Sequence, residues 1–278
     1  MILLNQMSFA YRKQAPLFDQ MDWEVQPGQV IGLLGKNGAG KSTLMGLLAG
    51  LLKPTSGDIQ VNGYRPFGRS PLFLQELILL PEENFLPEKN TIQRYIGSLA
   101  PFYPRFDREK MNQLQKDFDL PYDQKLGSMS FGQRKKFLIA FAIASGCKLL
   151  LLDEPTNGLD IPSKSLFRKI VTANIEEDQT VIISTHQVKD VENLIDRAVI
   201  VNHGKVIFDE EMLSISDQWY FGFGPQADEH SVYVEKSMGG YHYVAPLKSA
   251  QQPSQISLEL LFNAVINDRI RTPNTINA

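Results

Sequence analysis

The stretch that decides the fold is residues 35–43, which read GKNGAGKST. It fits the pattern G-x-x-x-x-G-K followed by Ser or Thr. An apolar run, residues 29–34, comes directly before it, and a helical pattern, residues 43–52, follows. Glycines at such a turn let backbone N–H groups converge on phosphate oxygens, and the helix directs its partly positive N-terminus at the same anion. In this strand–loop–helix context the pattern predicts a phosphate-binding loop.

The loop also carries two side chains suited to nucleotide chemistry. Lys41 would bring a positive charge to the β- and γ-phosphates, and the Ser42 hydroxyl is placed to ligate Mg²⁺. A glycine-rich turn that contains a lysine by chance is the alternative, and the flanking strand and helix patterns disfavour it. We therefore expect ATP and Mg²⁺ as ligands, with ATP contacted by Gly35, Asn37, Gly38, Ala39, Gly40, Lys41, Ser42 and Thr43.

Two acids end a second apolar strand, since residues 148–152 are followed by Asp153 and Glu154. Charges are rarely placed at the end of a buried strand without a cation or a task. We expect Asp153 to lie beside Mg²⁺ and Glu154 to take a proton from the attacking water. The alternative is a solvated strand end, which the nearby phosphate-loop pattern makes less favourable.

A histidine follows a third apolar strand, because residues 181–184 lead into Thr185 and His186. The carboxyl end of a central strand lies on the ligand side of an open α/β sheet. A neutral imidazole there could donate to the γ-phosphate or orient the water. A single histidine at a strand end is more often structural, so this residue alone decides nothing.

Short apolar runs alternating with helical patterns predict an α/β fold with a mainly parallel sheet. Residues 90–124 show helix patterns and no clear strand, which indicates a helical insertion. After residue 211 the composition turns to aromatics and glycines, followed by a possible helix at residues 257–266. We predict a P-loop NTPase core with N-terminal antiparallel strands, a helical subdomain and a small C-terminal α+β extension. The predicted central strands are residues 29–34, 77–80, 148–152 and 180–184, and residues 199–208 read as a hairpin.

Composition excludes several classes of protein. The formal net charge of −3 and the pI near 5.9 give no support for broad binding to nucleic acid. The single cysteine, Cys147, lies in an apolar stretch and is expected to be a buried thiol. The apolar runs fall far short of the roughly 20 residues that span a bilayer, and residues 1–7 lack a signal-peptide layout.

The order of these motifs resembles the nucleotide-binding subunits of ATP-binding cassette (ABC) transporters over residues 1–213. Between the loop and the acids lies Met129-Ser130-Phe131-Gly132-Gln133, which is similar to the family's signature stretch. Residues 155–160, PTNGLD, resemble the loop that crosses to the partner subunit. The resemblance implies a core of residues 1–85 and 145–213, a helical subdomain at about 86–144, and an extension of unknown role at 214–278.

The same resemblance assigns roles to further residues. Tyr11 would stack on adenine, with a tyrosine of the protein core as the alternative, and His186 would be the switch histidine beside the γ-phosphate. A second subunit would reach the nucleotide in trans through Ser130, Gly132, Gln133 and Asp160. Ser130 and Gln133 also fit a helix capping box, and both interpretations of this pair can hold.

Two positions depart from the family. Phe131 places a bulky ring where the signature usually has glycine. Glu82 follows the predicted strand at residues 77–80, where the family has glutamine. A carboxylate at position 82 could ligate Mg²⁺ and take part in catalysis, but it adds negative charge near the γ-phosphate.

The favoured function is the Mg²⁺-dependent ATPase subunit of a bacterial ABC exporter. Such a subunit would lie on the cytoplasmic face of the membrane, bound to an integral-membrane partner and to a second nucleotide-binding subunit, with no nucleic acid. Residues 102–107 and 256–262 weakly resemble bacterial exporter-type ATPase subunits that are encoded apart from their membrane partners, which favours export over import. The alternatives are a soluble ABC ATPase of translation or DNA maintenance, and a non-hydrolysing nucleotide sensor suggested by Phe131 and Glu82.

Overall fold

A computed structural model describes residues 1–83, 86–249 and 251–271. The strands in chain order are β1 (Ile2–Phe9), β2 (Phe18–Val25), β3 (Val30–Leu34), β4 (Ser56–Val61), β5 (Leu77–Leu80), β6 (Leu149–Asp153), β7 (Thr180–Thr185), β8 (Arg197–Asn202), β9 (Lys205–Glu211), β10 (Trp219–Gly224), β11 (Tyr233–Ser237) and β12 (Gly240–Pro246). The helices are α1 (Lys41–Leu48), α2 (Pro71–Leu74), α3 (Ile92–Leu99), α4 (Arg108–Asp117), α5 (Phe131–Ala144), α6 (Ile161–Asn174), α7 (Met212–Gln218) and α8 (Leu258–Ile266).

The central sheet has six strands in the order β5-β6-β7-β3-β8-β9. Its strands are parallel except for β9, which pairs antiparallel with β8 as the predicted hairpin. Alternate residues of β6 enter opposite cores: Leu150 and Leu152 pack in one apolar cluster, and Leu149 and Leu151 in the other. This burial on both faces explains why the strands read as continuous apolar runs. The predicted α/β fold with a mainly parallel sheet is confirmed.

One face of the central sheet is covered by a second sheet and by α1. This sheet has the order β2-β1-β4 and is antiparallel, as expected for the N-terminal strands. Met7, Phe18 and Trp23 from its strands share an apolar cluster with Leu44 of α1. Helix α1 begins at Lys41 and ends at Leu48, earlier at both ends than the predicted 43–52. It ends early because the Gly50 N–H donates to Leu47 O, which closes a tight turn.

The opposite face is covered by α5, α6 and α8, whose apolar side chains form one cluster with the sheet. Every residue of α5 from Phe137 to Ala144 is buried, as its uniformly apolar sequence predicts. Helices α3 and α4 lie between β5 and β6 in the chain, where the insertion was expected, and α4 packs on α5. The division into a core and a helical subdomain stays a prediction.

The segment after β9 forms α7, a three-stranded antiparallel sheet of order β10-β12-β11, and α8. Its apolar side chains, among them Val244, Leu258 and Leu261, belong to the same cluster as Val191 and Phe208 of the preceding chain. Residues 84 and 85, next to the predicted subdomain boundary, and residues 250 and 272–278 of the predicted extension lie outside the described residues. No helix in the described ranges is both long and apolar enough to cross a membrane.

Candidate nucleotide site

The phosphate-loop pattern forms the turn between β3 and α1. Gly40 is the N-cap of α1 with φ +108°, and a Cβ there would lie 2.8 Å from Cζ of Phe18. Only glycine fits this combination of positive φ and close approach. Within the described chain no side chain caps this helix end. The first backbone N–H groups of α1 therefore point out of the helix toward the turn, ready for an anion.

Lys41 is buried at the same turn, with 7% of its surface exposed. Its Nζ donates to the carbonyl oxygens of Gly35, at 2.8 Å, and Lys36, at 3.3 Å. The same nitrogen lies 3.8 Å from Oε1 of Glu154. Burial lowers the pKa of Lys41, and the negative charges of Glu154, Asp153 and Glu82 oppose that shift. The lysine thus links the phosphate loop to the predicted acids.

A cleft of about 510 Å³ opens above the loop and joins most of the residues predicted to bind ATP. Tyr11 stands at its wall, with its hydroxyl 2.9 Å from Thr43 Oγ1 and its ring edge-on to Phe9 at 4.9 Å between centroids. Of the predicted residues, the cleft is lined by Tyr11, Asn37, Gly38, Gly40, Lys41, Ser42, Thr43, Glu82 and Glu154. Gly35 and Ala39 are buried in the turn beneath it.

Glu154 follows β6 in a strained conformation, with φ +46°. Its backbone N–H lies 3.1 Å from Ser184 O and 3.2 Å from Ser184 Oγ, which fixes it to the neighbouring strand β7. Ser184 Oγ also donates to Asp153, whose side chain is buried. One serine of β7 thus orients both predicted acids, and the sequence pattern gave no sign of it.

Glu154 and His186 meet directly, as their places at the ends of adjacent strands suggest. Oε1 of Glu154 accepts from the backbone N–H of His186 at 3.0 Å and lies 2.8 Å from its Nδ1. An ionised carboxylate only accepts, so Nδ1 must carry the hydrogen. In the neutral ring Nε2 then accepts and cannot donate. Donation to a phosphate would require the imidazolium, or release of Glu154.

The second carboxylate oxygen of Glu154, Oε2, bears on which ligands the site can hold. Oε2 is buried and has no hydrogen-bond partner among the described residues. A buried carboxylate oxygen without a partner carries a desolvation cost that a water molecule or a hydrated cation would offset. Oxygen donors from Ser42, Asp153 and Glu82 suit Mg²⁺, which is usually held by one or two carboxylates together with phosphates and water. The chemistry of these residues suits Mg²⁺, and its binding to them beside a nucleotide stays a prediction.

Glu82 makes two contacts that its place in the sequence does not predict. Its Oε1 accepts from Asn157 Nδ2 at 2.7 Å, and its backbone oxygen accepts from Lys135 Nζ at 3.4 Å. Lys135 is 4% exposed; burial lowers its pKa, and the charges of Glu82, Asp153 and Glu154 oppose the shift. The sequence holds one signal for the burial of Lys135. It lies four residues before Ile139, on the same face of a helix whose later residues are all apolar.

The residues predicted to act in trans have intramolecular partners in the single chain. Ser130 and Gln133 form the predicted capping box of α5. Asp160 caps α6, and the hydrogen bonds from Ser163 hold the pKa of Asp160 below its usual range. A Cβ on Gly132 would lie 3.8 Å from Cδ2 of Leu159, which is ordinary van der Waals contact. The roles of these residues toward a second subunit stay predictions.

Phe131, the departure in the signature stretch, covers Gly158 in the loop after Glu154. Gly158 has φ +76°, and a Cβ on it would lie 2.6 Å from Cε1 of Phe131. Lys135 Nζ lies 5.6 Å from the centroid of the same ring. The bulky ring thus contacts the loop that follows the acids and occupies the space above its glycine.

Comparison with known proteins agrees with this geometry. The sequence profile described as ABC transporter matches residues 18–157, which include the phosphate loop and both acids. The ABC transporter ATP-binding protein NatA of Bacillus subtilis (strain 168) is 32% identical over 190 residues, which cover 66% of this chain and 77% of that protein. The chain belongs to the ABC transporter family.

Other ABC relatives support the same assignment. The SkfA peptide export ATP-binding protein SkfE of Bacillus subtilis (strain 168) is 32% identical over 197 residues, 69% of this chain and 81% of that protein. A dimeric bacterial ABC transporter cassette has the same fold, with a TM-score of 0.66 at 21% identity over 76% of this chain and 99% of that one. The chain is an ATP-binding subunit of the ABC type.

Proposed function

We propose that the chain is the Mg²⁺-dependent ATPase subunit of a bacterial ABC exporter. The observation that carries the proposal is the environment of Glu154. Its Oε1 is fixed by His186 and lies 3.8 Å from Lys41, while its Oε2 is buried without a partner among the described residues, in a side chain that lines the cleft of the phosphate loop. One oriented carboxylate oxygen and one without a protein partner are the arrangement expected of a general base that takes a proton from water.

In the proposed reaction the cleft binds ATP with its phosphates on the loop. Lys41 and the N-terminus of α1 bind the phosphate oxygens, and Tyr11 stacks on the base. Ser42, Asp153 and Glu82 would hold Mg²⁺, which supplies charge neutralisation at the phosphates. Glu154 takes a proton from water through Oε2 as the water oxygen bonds to the γ-phosphorus. The bond from that phosphorus to the bridging oxygen breaks, and ADP and phosphate leave.

His186 holds Glu154 in this reaction. Its Nδ1–H and backbone N–H both bind Oε1, which leaves Oε2 to the water. The imidazole therefore orients the base, and in the neutral ring its Nε2 can only accept a hydrogen bond.

The proposed assembly has two nucleotide-binding subunits and a membrane partner. Ser130, Gly132, Gln133 and Asp160 of one subunit would face the nucleotide of the other, which the dimeric cassette of similar fold supports. SkfE is named as a peptide export protein, which favours export and a place on the cytoplasmic face of a membrane. NatA and SkfE are both ABC transporter or export proteins and lend no support to a role in translation or DNA maintenance.

The test of the ATPase is Glu154→Gln. The amide still accepts from His186 but is a poor base, so we expect phosphate release to fall by about 10²- to 10⁴-fold. ATP affinity should stay within about threefold of the parent. Glu177→Gln makes the same chemical change at an exposed position and should leave the rate unchanged. Turnover within tenfold of the parent in Glu154→Gln would remove Glu154 from the proposed role.

The membrane partner needs a separate experiment. Glu154→Gln protein with ATP and Mg²⁺ is used to capture partners from detergent-solubilised membranes of the source cell. A polytopic membrane protein recovered in near-equal amount supports the transporter assembly. Recovery of ribosomes or DNA-maintenance proteins instead would refute it.

A further inference from the structure

Glu154 and His186 lie on separate loops, and their contact depends on how those loops are joined. The loop after β6 carries Glu154 and, two residues later, Thr156, which is 1% exposed. The loop after β7 carries His186 and continues into a short 3₁₀ turn, Val188–Asp190. Asp190 ends this turn with a side chain that is 13% exposed.

Asp190 ties the two loops together. Its Oδ2 accepts from Thr156 Oγ1 at 2.8 Å and lies 2.7 Å from Lys164 Nζ on α6. Lys164 Nζ also donates to Oε1 of Gln187, the residue after His186, at 2.8 Å. The backbone oxygen of Asp190 accepts from Arg168 Nη1 at 3.5 Å. One carboxylate thus connects the Glu154 loop, helix α6 and the His186 loop.

This connection is placed where precise geometry is needed. Glu154 has φ +46°, a conformation that persists only when its surroundings fix it, and the contact between Oε1 and His186 Nδ1 is 2.8 Å long. Hydrogen bonds to an ionised, mostly buried carboxylate are stronger than neutral ones. A displacement of about 1 Å between reacting groups is enough to lower a rate by about 10²-fold.

We propose that Asp190 is a positioning residue for ATP hydrolysis, which keeps Glu154 in register with His186 by binding Thr156 and Lys164. It contacts neither the cleft nor the reacting atoms. The proposal rests on the proposed function, because it assumes that Glu154 is the base. Substitution of Asp190 should therefore lower the turnover rate and leave ATP binding unchanged.

The test compares steady-state ATP hydrolysis in Asp190→Ala, Thr156→Val and the double variant. We expect kcat to fall at least tenfold in Asp190→Ala and about fivefold in Thr156→Val, with KM for ATP within threefold of the parent. Because the two side chains act through one contact, the double variant should stay within twofold of Asp190→Ala. Lys189→Gln, on the same turn but ion-paired with Glu259 of α8, should keep kcat within twofold.

Thr156→Val is nearly isosteric and uncharged, so it gives a result even where Asp190→Ala does not fold. A kcat within twofold of the parent in Thr156→Val, or multiplicative losses in the double variant, would overturn the proposal. The Glu154→Gln variant distinguishes a failure of this proposal from a failure of the proposed function. If Glu154→Gln abolishes hydrolysis while the Asp190 and Thr156 variants keep full turnover, only the positioning role fails. If Glu154→Gln itself stays active, the assignment of the base fails, and with it the premise of this proposal.

Discussion

Gln115 offers a quantitative test of how the interior of the helical segment is packed. It lies in α4 with 3% of its surface exposed, where α4 packs on α5. Neither Oε1 nor Nε2 of its amide has a hydrogen-bond partner among the described residues. Replacing it with methionine keeps the length of the side chain and removes both unpaired polar atoms.

The magnitude follows from the cost of burying an unpaired amide, which is about 1–3 kcal/mol in mutational data. Gln115→Met should therefore raise the free energy of unfolding by about 1–3 kcal/mol. In a chain of this size each kcal/mol raises the melting temperature by about 2 °C. Urea denaturation followed by circular dichroism measures the difference directly.

Gln113 supplies the matched control on the same helix. It is exposed and donates to Asp117 Oδ1 at 2.8 Å, so Gln113→Met should change the free energy of unfolding by no more than about 0.5 kcal/mol. A loss of stability in Gln115→Met would mean that the buried amide has a partner, such as an ordered water, and would refute the reasoning.

Three further predictions concern the loop after the acids and the single thiol. Gly158→Ala should lower the free energy of unfolding by about 1–2 kcal/mol in urea, because φ +76° is costly for a residue with a Cβ; parent-like stability would show that this backbone relaxes. Burial raises the pKa of Cys147 to about 12, so the folded thiol should react slowly with a disulfide reagent at pH 8 and at once when unfolded. As the pH rises, the thiol ionises in the unfolded chain before it ionises in the folded protein, which favours unfolding. The contribution of Cys147 to stability is therefore complete below about pH 9 and is lost as the pH rises toward 12. Immediate reaction of the folded protein would contradict this.

The sequence was most informative where the signal is local. The apolar runs that became β3, β5, β6 and β7 are buried on both faces and so need no partner to be recognised. The phosphate loop combines glycine spacing with flanking strand and helix patterns, all within one short segment.

The relations that shape the site depend on residues far apart in the chain. Ser184 lies 30 residues after Glu154 and holds its backbone, and Asp190 lies 34 residues after Thr156. A serine inside a strand and an aspartate in a short turn carry no pattern of their own. Only the pairing of β6 with β7 brings these side chains together, so no local signal could have predicted them.

The apolar cluster shared by the core and the C-terminal segment has a consequence for how the protein is made. Phe208 and Val191 are buried together with Val244, Leu258 and Leu261, which lie later in the chain. Ribosomes add about 5–20 residues each second, so several seconds separate the synthesis of β9 from that of α8. During this interval the nascent chain carries an uncovered apolar face. Chaperone binding to ribosome-bound chains should therefore be strongest after β9 has emerged and should end once α8 has folded onto it.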